Sequence, residues 1–175
     1  YLRFADVMMD EPMAYYCFQV LYWCGIREGE MMALTLEDVD FENGKLRINK
    51  TFQHLKGKDV VTDPKTPKSN RVIQMPGFLV EELRDYTKMI YDLNPNDRLF
   101  PVCKSYLYRM MKKGAELAGV KKIRVHDLGH SHVSLLIHMG YSAVAIAERV
   151  GHESVDITYR YAHLFPTVQR DMADK

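Results

Sequence analysis

The sequence predicts a mainly α, α+β domain: a helical body with one small three-stranded antiparallel sheet inserted after the second helix. Three observations carry this. Apolar residues recur every three to four positions from Met13 to Cys24 and again from Leu79 onward, the spacing of one helix face. Between Lys45 and Met75 the period drops to two, the spacing of a strand. Gly25, Gly119, Gly140 and Gly151 each follow a helical run, where a left-handed residue closes a helix.

Each element then follows in order. Asp10-Glu11-Pro12 is an acidic helix start with proline in the first turn. Met13, Tyr16, Cys17, Val20, Leu21 and Cys24 supply its apolar stripe. Gly25 to Glu30 is a charged break, followed by a short apolar helix, Met31-Met32-Ala33-Leu34. Leu36, Val39 and Phe41 lead to the turn Glu42-Asn43-Gly44. Leu46, Ile48 and Phe52 form one strand, Val60-Val61 a second, and Arg71 to Met75 a third, stopped by Pro76. Gly57 and the basic, proline-stiffened stretch Asp63 to Asn70 supply the turns. Leu79, Leu83, Tyr86 and Ile90 return to helical spacing, and Asn94 to Asp97 breaks the chain. After a short apolar link, Leu99-Phe100, Ser105 caps a helix carrying Leu107, Met110, Met111, Ala115 and Leu117. A helix starts near Asp127 with Leu128, Leu135 and Leu136. Ser142 caps the next, and Ser154 caps a last one containing Thr158 and Tyr161.

With 175 residues the chain fits one compact domain. Hydrophobic residues at 47% and charged residues at 27% are the composition of an ordinary globular protein. No apolar run is long enough to span a bilayer and no secretory signal is present, so a membrane role is not expected. Cys17, Cys24 and Cys103 lack metal-ligand spacing. Their odd number predicts reduced, buried thiols in a cytoplasmic protein. The net charge of +1 neither requires nor excludes nucleic acid, because a local basic groove can sit on a neutral protein. The chain opens on Tyr1 rather than Met, and a neighbouring domain is expected outside it.

Arg27 follows a helix-closing glycine beside Glu28 and Glu30. Its simplest role is a surface ion pair; its functional one is a guanidinium oriented by Glu30 towards a phosphate. Lys65 and Lys68 sit on a loop with Arg71 close behind, either as a solvated turn or as a lysine reaching a site as proton donor. His126 and His130, four apart, share a helix face and raise the question of zinc. The His-Glu-x-x-His pattern fails at Asp127, and no third ligand is evident by spacing. His132 and His138 read as surface or half-buried, and His152 as a histidine at a helix end. Tyr159 and Tyr161, two apart, point to different faces. Taken together, a hydroxyl nucleophile, an arginine, a lysine and two histidines, with no acidic pair for Mg²⁺, match metal-free phosphoryl transfer.

In that combination the sequence resembles the catalytic domain of the tyrosine recombinase (phage integrase) family. Gly25-Ile26-Arg27-Glu28-Gly29-Glu30 is similar to its first arginine box, Asp63 to Arg71 to its lysine box, and Arg124-Val125-His126-Asp127-Leu128 to its His-x-x-Arg box. Val150-Gly151-His152 and Thr158-Tyr159-Arg160-Tyr161-Ala162-His163 resemble its last two elements. The resemblance implies Arg27, Lys65, His126, His152 and Tyr161 as the catalytic set, with Tyr161 the nucleophile and Lys65 the general acid. It gives Glu30 and His130 supporting roles, and Lys68, Arg71 and Arg124 contact with DNA. It further implies a 3′-phosphotyrosine intermediate, no cofactor or metal, and double-stranded attachment-site DNA as substrate. A tetramer on DNA, accessory DNA-bending or directionality factors and a separate core-binding domain are also implied. The tail from Leu164 to Lys175 would dock on a neighbouring protomer.

One position departs from the pattern: Gly129 stands where the family's second phosphate-binding arginine belongs. Strand cleavage is therefore expected to be impaired. The alternatives are a catalytically inactive DNA-binding module of the same fold, a zinc hydrolase built on His126 and His130, and a metal-free ribonuclease using histidine and lysine.

Overall fold

A computed structural model describes residues 1–164 of the chain. The expected docking tail beyond Leu164 lies outside the described residues. The main core is built by helices α1 (Leu2–Met8), α2 (Pro12–Cys24), α3 (Glu28–Ala33), α4 (Gly77–Lys88) and α5 (Lys104–Ala118), packed with a small sheet. Helix α2 is buried along most of its length, from Ala14 to Cys24. That explains why its apolar residues exceed one narrow stripe. It closes at Gly25, whose φ of +66° is a left-handed conformation open to glycine.

Strands β1 (Val39–Asp40), β2 (Lys45–Ile48) and β5 (Arg71–Gln74) form the antiparallel sheet, with β2 central and Leu46 opposite Ile73. Strands β3 (Thr51–Leu55) and β4 (Lys58–Thr62) form a separate hairpin around a Lys56-Gly57 turn. The three-stranded sheet thus exists with different members than expected. The run from Leu46 to Phe52 is two strands, broken at Asn49-Lys50, where Lys50 bonds the buried Asp38 carboxylate. The hairpin projects away from the core, with Leu55 and Val61 half exposed, while Phe52 at its base lies under the Arg98 guanidinium.

Helices α6 (Asp127–His138) and α7 (Ala143–Val150) carry a second, smaller core of Val133, Ile137, Ile146 and Val150. Ser142 caps α7 by accepting from the Ala145 amide, and Gly151 closes it at φ +75°. Several local expectations need correction. Helix α1 was not anticipated, and α5 starts after Cys103 rather than Ser105. Helix α3 begins at Glu28, inside the charged break. The final helix α8 (Val155–Thr158) ends before Tyr161, which sits in a 3₁₀ turn, Tyr159–Leu164, at φ −96° and ψ 16°. Cys17 and Cys24 are buried as expected, but Cys103 is exposed.

Candidate active site

A pocket of about 370 Å³ opens at the seam between the two cores. Arg27 enters from the end of α2, His126, Gly129 and His130 from α6, His152 from the end of α7, and Arg160 and Tyr161 from the final turn. Tyr161 packs its ring on the smaller core and turns its hydroxyl to Nδ1 of His130, with which it is in hydrogen-bond contact. His126 and His130 meet edge to face at 5.0 Å between ring centroids. Burial pushes the Tyr161 phenol up, and the Arg160 charge pulls against that. Gly129 lines the same pocket, and a Cβ placed there meets nothing within 4 Å.

Behind the pocket lies a frame of buried charge. Arg27 Nη1 donates to Glu30 Oε1 at 2.9 Å, which fixes the guanidinium against that carboxylate. The other Glu30 oxygen is 2.9 Å from Arg71 Nη1, with side chains only 5% and 7% exposed. Arg71 therefore faces inward, its side chain committed to groups within the protein. Its remaining bonds go to the Ser69 carbonyl at 2.8 Å and the Arg149 carbonyl at 2.9 Å. Arg149 in turn donates to the carbonyls of Gln74 and Trp23 and to Nε2 of His132. This lattice ties α2, β5, α6 and α7 together directly beneath His152.

His152 places Nδ1 2.7 Å from the hydroxyl of fully buried Thr158. Burial, and then the charges of Arg27, Arg71 and Arg160, hold its pKa down at about 4, so it is neutral at physiological pH. His132 was read as a surface or half-buried residue; it is 2% exposed, and burial, then Arg149, lower its pKa to about 4. An imidazolium could not accept the Arg149 hydrogen bond, so geometry and charge state agree.

Both histidines are depressed in the folded state, so the unfolded chain binds protons first as pH falls. Their stability contribution is intact above about pH 6.5 and declines towards pH 4. The urea midpoint is accordingly expected to fall between pH 7 and pH 5. His132→Gln is expected to flatten that fall, measured by tryptophan fluorescence at each pH; an unchanged slope would count against this assignment.

Lys65 does not line the Tyr161 pocket. It is exposed on the connection between β4 and β5, beside a neighbouring groove of about 700 Å³ that also includes Arg27, Glu28 and His126. Arg124 is exposed and held by Asp127 through Nε at 3.2 Å and Nη2 at 2.9 Å. Lys68 lies exposed on the far side of His152, near Glu148. Among the described residues no group of three or more His, Cys, Asp and Glu is placed to hold a metal ion. No described helix is long and apolar enough to cross a membrane. Sequence reading did not single out Arg149, Thr158 or Arg160, which the structure places at or behind the pocket. Only the adjacency of Arg160 to Tyr161 was a signal; the other two act through contacts with distant residues or a turn.

A helical body, a small antiparallel sheet and a tyrosine set against arginine and histidine define the class: a tyrosine recombinase catalytic-domain fold. The family model for the phage integrase family matches residues 3–167, and the chain belongs to that family. It is 32% identical over 188 residues to the ICEBs1 integrase of Bacillus subtilis (strain 168), covering 99% of this chain and 51% of that protein. It is 31% identical over 169 residues to the integrase of Staphylococcus phage L54a, covering 86% of this chain and 48% of that protein. The chain thus spans about half the length of these relatives. Among solved structures, XerA recombinase superposes with a TM-score of 0.74 at 25% identity, over 97% of this chain and 58% of that one. The Tn1549 transposon integrase in complex with transposon right end DNA shares the fold, with a TM-score of 0.81 at 18% identity, over 98% of this chain and 62% of that one.

Proposed function

We propose that residues 1–175 are the catalytic domain of a site-specific DNA recombinase or integrase of a mobile element, with a core-binding domain elsewhere in a longer protein. The observation that carries this reading is the convergence of Arg27, His126, His152 and Tyr161 on one pocket. Relatives named as integrases, among them that of Staphylococcus phage L54a, and a fold neighbour solved in complex with transposon right end DNA support attachment-site DNA as substrate.

The chemistry follows from the groups present. The Tyr161 oxygen attacks the scissile phosphorus, forming a P–O(Tyr) bond while the P–O5′ bond breaks. The phenol proton passes to His130 Nδ1, already in contact with the hydroxyl. Lys65 closes over the shared groove wall and protonates the leaving 5′-oxygen. Arg27, His126 and neutral His152 donate to the non-bridging oxygens, where charge develops. The phosphodiester energy is kept in the 3′-phosphotyrosine, so no nucleotide cofactor is consumed. A partner strand's 5′-hydroxyl reverses the step. Exchange between two duplexes requires a tetramer on DNA, aided by accessory DNA-bending or directionality factors. Gly129 removes one cation from this set and impairs cleavage. That same gap favours the second reading, a DNA-binding module without strand cleavage.

A nicked suicide duplex from the ends of the encoding element, 5′-labelled on the cleaved strand, separates the two readings. The full-length protein is expected to form a weak covalent adduct that disappears in Tyr161→Phe. An adduct that survives Tyr161→Phe would assign the nucleophile elsewhere. No adduct even from Gly129→Arg would favour the binding module.

A further inference from the structure

The cations around the pocket differ in how far they are already committed. Arg71 is buried between Glu30 and two carbonyls. Arg149 spends its guanidinium on His132, Gln74 and Trp23. Arg124, the nearest basic residue in sequence to Gly129 on its N-terminal side, is forked onto Asp127. Arg27 is bonded to Glu30 and lines the pocket as the first phosphate arginine. Arg160 is different. It is exposed, lines the same pocket as Gly129, His152 and Tyr161, and makes no ion pair or side-chain hydrogen bond with any described residue.

Building on the recombinase reading, we propose that Arg160 supplies the second guanidinium on the scissile phosphate, in place of the arginine missing at position 129. The space is there: the pocket is open at Gly129, and no side chain at that position fills it. The field at the reacting atoms also fits, since the Arg160 charge reaches both Tyr161 and His152. Placement next to the nucleophile has a mechanical consequence: the cation and the attacking oxygen arrive on one turn of chain. An arginine on α6 would instead be fixed before the tyrosine docks. The geometry of a guanidinium fork suits two non-bridging oxygens, which a lysine cannot match.

A double-mutant cycle on the full-length protein tests this, read as the single-turnover rate of adduct formation on the suicide duplex. Arg160→Gln is expected to lower the rate by about 10²-fold, the usual cost of one transition-state donor. Arg160→Lys should recover only part of it. In the Gly129→Arg background, Arg160→Gln should cost at most a few-fold, because the restored arginine occupies the same phosphate position. Such non-additivity marks two groups doing one job. DNA affinity by gel shift and the melting temperature should stay near those of the parent, since Arg160 is exposed and holds no described partner.

Equal losses in both backgrounds would overturn the proposal, as would an Arg160→Gln rate equal to the parent's. It would also fall if the unaltered protein gave no adduct while Gly129→Arg gave abundant adduct. In these cases the recombinase reading would stand, because Gly129→Arg or the parent still cleaves. Absence of adduct from every variant would remove both.

Discussion

Gly129→Arg is expected to raise the rate of covalent adduct formation by about 10²–10³-fold in the Arg160→Gln background, the scale of one oxyanion donor, and by only a few-fold where Arg160 is present. The structure permits the change without repacking. A Cβ at Gly129 meets nothing within 4 Å, and the position lines the pocket that holds Arg27, His152 and Tyr161. Stability should barely move, because two modest effects oppose each other. Replacing glycine inside a helix gains up to about 1 kcal/mol. A cation in the first turn of α6, at the positive end of the helix dipole, loses about 0.3–1 kcal/mol. A large rate gain in the Arg160→Gln background with a nearly constant urea midpoint is the expected signature. A large midpoint shift without adduct would mean that Gly129 serves the fold rather than marking a lost catalytic group.

Glu30→Ala is expected to be the most destabilising single change at the site, by about 3–5 kcal/mol, the cost of stranding a buried charge. Glu30 and Arg71 are both almost fully buried, and neither Arg71 Nη2 nor Glu30 Oε2 makes a hydrogen bond, so charge attraction holds this pair. Against a total stability of about 5–15 kcal/mol for a domain, that loss threatens folding itself. Arg27→Ala should cost under about 1 kcal/mol, since its side chain is 48% exposed and its ion pair is screened. Replacing both members, Glu30→Ala with Arg71→Met, should recover part of the loss by removing the unpaired cation. Urea denaturation of the four proteins measures all of this. Similar losses for Glu30→Ala and Arg27→Ala would refute the buried-pair account.

Much of the helical framework was legible because it is local. The stripe from Met13 to Cys24 and its stop at Gly25 are both set within a few residues, and α2 forms there. The Ser142 cap and Gly151 close of α7 are equally local. Helix α1 was not legible, since its seven residues form too short a periodic run. It is held from afar: Phe4 and Met8 press so closely on Gly114 of α5 that a Cβ there would lie 2.4 Å and 2.5 Å from them. The break between β2 and β3 was hidden for the same reason. Alternation continues from Leu46 to Phe52, while the break is where Lys50 reaches Asp38, twelve residues earlier.

The candidate site divides along the same line. The sequence alone supplied the groups that the family resemblance assigns to the site, Arg27, Lys65, His126, His152 and Tyr161 in order, and a glycine at position 129. What it could not rank was the arginines, because a guanidinium reads the same wherever it stands in the chain. Tertiary structure decided that Arg71 is a buried strut, bonded to a carbonyl 78 residues away, and that Arg149 reaches Trp23 across 126 residues. It also left Arg160 on the pocket wall beside Tyr161. The physical reason is that periodicity and caps act over a few residues, whereas the work a charge does is set by burial and by partners that only folding brings near.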